Sequence, residues 1–132
     1  NACLPRCSKS MLNTLIAAVF LLVGFVNALP VIGVLGTDTL TRLYQASIAN
    51  DVLALIRHRA TMLGLLGGFA MVAAFKIEWQ LIAGILILLS MLAFIALVAL
   101  DPHANAAIRK IMWIDIVLSA LLLPCLIWRI AH

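Results

Sequence analysis

The chain has 132 residues, 66% of them hydrophobic and only 11% charged, with a net charge of +4 and a mean hydropathy of +1.21. Water-soluble domains run at about 45–50% apolar and about 25% charged, so the composition excludes an ordinary soluble domain and leaves lipid as the expected solvent. The basic residues are scattered and never interleaved with aromatics, so nucleic acid is not expected as a partner.

The first long apolar stretch runs over about 11–35, ample for the ~20 residues that a spanning helix needs. Arg6 and Lys9 ahead of Leu15–Val26, with the small-residue "VNA" ending at Ala28, share the layout of a secretory leader, but the segment is read as a retained span. Pro30 is expected to kink or end it. "CLPRC" at 3–7 is a Cys-x-x-x-Cys spacing with no second ligand pair, so no metal is expected there.

In the connection 36–51, Leu40, Leu43, Tyr44 and Ile48 fall on one face of a short helix that Thr37 or Asp38 can cap. The expected form is an amphipathic helix lying on the outer membrane surface. A second span follows over about 52–75 and carries Arg57, His58 and Arg59 in its first third. Its "LGLLGG" is a helix-packing glycine cluster, since no strand precedes it to make a nucleotide loop. "KIEWQ" is so short that the third span, 81–100, must be an antiparallel neighbour of the second. A fourth span, 111–130, contains Asp115 and Cys125, the latter read as a small buried hydrophobe. Ser90 and Ser119 are expected to bond to carbonyls of their own helices. Trp79, Trp113 and Trp128 all fall near span ends, the depth an amphipathic indole prefers. Continuous rather than alternating apolar runs imply helices and not a barrel. The expected architecture is all-α: a single four-transmembrane-helix bundle over 1–132 with one short surface helix.

Counting Lys and Arg orients it. Arg6, Lys9, Lys76 and Arg129 share the side of the termini with Glu78, against Arg42, Arg109 and Lys110 in the opposite loops and Arg57 and Arg59 embedded on that second side, where all four aspartates also lie. That bias favours cytoplasmic termini.

Polar residues inside the spans converge in depth. At ~1.5 Å per residue, Arg57 and Asp115 each lie roughly 9 Å below the outer start of their spans, and Asn27 reaches a similar level. A charge in a span costs about 2.5–3.5 kcal/mol by insertion scales and normally faces inward toward a partner. An Arg57–Asp115 pair with Asn27 beside it is therefore expected. On a helical wheel Arg57 shares a stripe with Thr61, Gly64 and Gly68, the small-residue spacing that permits close helix packing. Arg59 points away and is expected to snorkel to the headgroups. A staple that fixes helix register is the favoured reading of this layer. A locus for a polar headgroup, a quinone-like molecule or an anion comes second, and a proton or ion path last, since transporters carry several aligned carboxylates and broken helices. His58 is the only histidine in a span, which leaves single axial ligation of a haem or chlorin as a minor alternative to the expected absence of any cofactor. No nucleophile set, carboxylate pair or phosphate loop accompanies it, so catalysis is not expected.

The stretch "RLYQASIANDVLALIRHRATMLGLLGGFAMVAAF" resembles small uncharacterised bacterial four-span proteins of a DoxX-like type. The resemblance is carried by Leu43–Tyr44, Leu55–Ala60 and Gly64–Phe69, and more loosely by "LSMLAFIAL" and Asp115. It implies a bacterial inner-membrane protein without an established activity. Some such proteins bear a phosphopantetheine adenylyltransferase label, for which this chain lacks the residues, and one branch is associated with quinone-linked sulfur oxidation. Two functions follow as expectations. The first is a non-catalytic accessory or assembly subunit, whose partners are the bilayer and other membrane subunits. The alternative is a quinone- or lipid-binding redox accessory with its polar site in the outer leaflet.

Overall fold

A computed structural model of the chain describes residues 6–31 and 50–131, with side chains from 9 and from 55 onward. The expected surface helix within 36–51, the side chains of Cys3 and Cys7, and His132 lie outside the described residues. The described chain is helical: α1 (Arg6–Ala28), α2 (Asn50–Ala73), α3 (Ile77–Leu100) and α4 (Ala106–Ala131). Three stretches, Lys9–Val31, Ile77–Leu100 and Ala106–Ala131, are long and apolar enough to cross a membrane.

The helix ends follow local chemistry. α1 stops at Ala28 and gives way to a 3-10 turn at 29–31, because Pro30 disfavours helical geometry at the residue before it. α2 and α3 are joined by Ala74, Phe75 and Lys76 alone, with Lys76 N–H bonding to Ala73 O and Trp79 N–H to Lys76 O. α3 thus starts at Ile77, four residues ahead of the expected 81, since Glu78 in the first turn suits the positive end of a helix. Between α3 and α4, Asp101 Oδ1 accepts from His103 N–H at 2.9 Å, and Asn105 Oδ1 caps α4 by accepting from Ile108 N–H at 2.9 Å. Pro124 sits inside α4, an interruption that spanning helices tolerate.

The chain runs up and down, and α1 packs on α2, α2 on α3, α3 on α4, with α4 closing back on α1. At the centre, Phe20 and Ile16 of α1 meet Ala70 and Ala73 of α2, Ile87 and Met91 of α3, and Leu122 and Leu126 of α4. Bulk from α1, α3 and α4 is matched by alanine on α2. That asymmetry lets α1 and α2 approach to backbone contact. A Cβ on Gly24 would lie 2.6 Å from Gly67 O, and one on Gly67 would lie 2.8 Å from Ala28 N. Gly64 is also in the seam, covered by Val31, whereas a Cβ on Gly68 would meet nothing within 4 Å among the described residues. The backbones of α1 and α2 therefore meet at Gly24 and Gly67, while of the expected Gly64/Gly68 stripe only Gly64 lies in the seam.

Outside the core the surface is strongly apolar. Leu100, Phe75, Ile130 and Leu97 are 66–82% exposed, and large hydrophobic side chains cover the outer faces of every described helix. Such contiguous apolar surface far exceeds what water-facing monomers carry.

Candidate functional site

A cleft with about 190 Å³ of free space opens toward the end of the bundle where α3 connects to α4, and all four helices line it. α1 supplies Asn27 and Pro30, α2 Arg59 and Leu63, α3 Ser90, Met91 and Phe94, and α4 Ile111, Ile114 and Asp115. One water needs only about 10–15 Å³ of such space, so the cleft has room for a group of many atoms.

Most of the wall is apolar, and the polar atoms are few and oriented. Asn27 is buried, and its Nδ2 donates to Val23 O at 2.9 Å and contacts Met91 Sδ at 3.6 Å. Both amide hydrogens are thereby engaged, so Asn27 offers its carbonyl oxygen to the cleft. Asp115, half-buried, adds a carboxylate from α4. The cation is Arg59: its guanidinium carbon lies 4.7 Å from the centre of the Phe94 ring, and it lines the same cleft as Asp115. A cation over an aromatic face is held by the ring quadrupole, which here fixes Arg59 across the α2–α3 seam.

Of the residues singled out in the sequence, the structure gathers Asn27 and Asp115 into this cleft and brings Arg59 to them. Arg57 is half-buried outside the lining, on a neighbouring face of α2, and His58 is exposed outside the lining as well. Gly64 and Gly67 lie against α1, and Arg59 and Leu63 line the cleft from α2, Arg59 with much of its side chain exposed. Ser90 faces the cleft, and Ser119, expected to bond to a helix carbonyl, instead has a buried Oγ with no hydrogen-bond partner. Among the described hydroxyl and thiol side chains, Thr14, Thr61 and Cys125 make such bonds, to Ser10 O, Arg57 O and Leu121 O.

The opposite end of the bundle holds a polar clasp that sequence reasoning missed. Arg129 Nε donates to Gln80 Oε1 at 2.7 Å, and Arg129 Nη2 to Asn13 Oδ1 at 3.0 Å. Gln80, only 1% exposed, passes its own amide to Ala74 O at 3.3 Å. One side-chain chain thus ties α4, α3, α1 and the end of α2. The available signal was positional: Asn13, Gln80 and Arg129 all lie within two or three turns of helix ends that an antiparallel bundle must bring together.

Comparison with protein-family models, with curated proteins and with solved structures finds no match.

Proposed function

We propose that the chain is a non-catalytic integral membrane protein of four spanning helices with cytoplasmic termini, which holds an amphiphilic molecule in the cleft. The observation that carries this reading is the cleft itself: an apolar pocket reached from every helix, with one cation and two acceptors at its polar places. Pockets of this make-up are the default small-molecule sites of proteins. Arg59 suits a carbonyl, phenol or phosphate oxygen, while Asn27 Oδ1 and Asp115 accept from hydroxyl or amine groups. A quinone or a lipid headgroup fits that pattern, with its tail leaving between the helices. Kinship with DoxX-like inner-membrane proteins is part of this proposal and rests on the residues quoted for it.

An accessory-subunit role is the second reading. It is favoured by the outer face of α2, where Gly68 leaves a notch between exposed Leu65 and Val72. Small residues on an outward helix face allow another helix to come close.

Mass spectrometry of the full chain purified from its native membrane tests the first reading. The wild type is expected to carry a defined lipophile at near-stoichiometric level, and Ser90→Leu, which fills the cleft, to lose it. Identical lipophile content in the two proteins would overturn the cleft as the binding site. Co-elution with a fixed set of membrane subunits and no bound lipophile would favour the second reading.

A further inference from the structure

The clasp end contains a second, separate site. Beside Arg129 the surface between α1, α3 and α4 falls into a shallow basin lined by Lys9, Ser10, Asn13 and Thr14 on one side and by Phe75 and Ile77 on the other. We propose that this basin binds the phosphodiester of an anionic membrane lipid.

The guanidinium makes the case. Arg129 is half-buried, and both acceptors that hold it, Gln80 and Asn13, are neutral. Its five N–H donors form a rigid fork. The two bonds to Gln80 and Asn13 engage two donors and leave three for the basin. Lys9 adds a second cation, and no carboxylate stands among the lining residues. A cation taken partly out of water is held best by an opposite charge, and among the described residues the basin wall supplies none. A planar fork already locked at one edge matches two phosphate oxygens at the other.

The position fits a lipid rather than a solute. Trp79 projects at this same end, 41% exposed, at the depth where indoles mark the headgroup layer. Phe75 and Ile77, both exposed, give the glycerol and upper acyl chains an apolar bank directly beside the cations. The hydroxyl of Thr14 is turned to Ser10 O, leaving Ser10 to donate to a headgroup. Under the topology proposed above the basin lies in the cytoplasmic leaflet, where anionic lipids attract basic residues near the membrane surface.

The test uses the full chain in neutral detergent, with thermal unfolding followed against added phosphatidylglycerol, phosphatidylcholine or inorganic phosphate. Phosphatidylglycerol is expected to raise the melting temperature well beyond phosphatidylcholine. Lys9 is exposed and outside the clasp, so Lys9→Gln keeps the fold and is expected to weaken the phosphatidylglycerol effect about fivefold in apparent affinity. Lys110→Gln, at the other end, is expected to leave it unchanged. Equal stabilisation by the two lipids, or equal behaviour of the two lysine variants, overturns the proposal. So does a full shift from inorganic phosphate alone, which would mark a site for a soluble anion. Lipophile retention in the cleft is read separately and does not depend on this result.

Discussion

Replacing Gly67 by alanine probes the backbone contact between α1 and α2. The added methyl would lie against Gly24 O and 2.8 Å from Ala28 N, and both are backbone atoms that no rotamer change can move. The α1 and α2 helices must therefore separate or slide, with the core packing around Phe20 and Val23 following them. Overpacking of this kind costs about 1–3 kcal/mol. Alanine also favours a helix over glycine by roughly 0.5–1 kcal/mol, which masks part of the loss in a single measurement. Gly68→Ala removes that ambiguity. It receives the same propensity gain one residue along, and its methyl enters open space among the described residues. The difference in unfolding free energy between the two variants isolates the packing cost, expected at about 1–3 kcal/mol against Gly67→Ala. Denaturant titration of the detergent-solubilised protein, followed by circular dichroism, measures it. Equal stabilities, or a less stable Gly68→Ala, would refute the placement of the α1–α2 contact at Gly67.

Gln80→Leu removes the buried acceptor of Arg129 and is expected to cost about 1.5–3 kcal/mol, typical of a lost bond to a charged group. In a double-mutant cycle with Asn13→Ala the losses should be non-additive, and additivity within about 0.3–0.5 kcal/mol would deny that the clasp acts as one unit. Ser119→Ala deletes an unpartnered buried hydroxyl and should leave stability unchanged or raise it by about 1 kcal/mol, whereas a clear loss would reveal a bond to that oxygen. Phe94→Leu frees Arg59 from its aromatic rest while keeping the wall apolar. It is expected to reduce lipophile retention several-fold at little cost to the melting temperature, and unchanged retention would show that Arg59 needs no such support.

Long apolar runs made the helices legible, because only a continuous span of that length satisfies its backbone in lipid. That the second and third are antiparallel neighbours was legible too, from a link as short as "KIEWQ". The ends were less so. Residues such as Glu78 and Trp79 read as loop in a hydropathy pattern, yet they continue α3 into the interface. Depth along the spans put Arg57, Asp115 and Asn27 in one layer; Asn27 and Asp115 line the cleft and Arg57 does not. Choosing among Arg57, His58 and Arg59 required knowing which neighbour each face of α2 meets, and a wheel contains no neighbours. The clasp escaped for a related reason. Asn13, Gln80 and Arg129 each look like ordinary interfacial polar residues, and only the convergence of three helix ends turns them into a network.

That network divides the molecule mechanically. One end is buttoned by side-chain hydrogen bonds reaching α1, α3, α4 and the α2–α3 link, while the other is spread around a void and bridged by a cation on a ring. Between the two, Pro124 deprives α4 of a rung in its backbone ladder, five residues from Arg129 and nine from Asp115. The bundle is thus shaped like a pair of tweezers with its weld at the termini and a thinned blade in α4. Stiffness introduced at position 124 should therefore be felt first at the cleft end of α4.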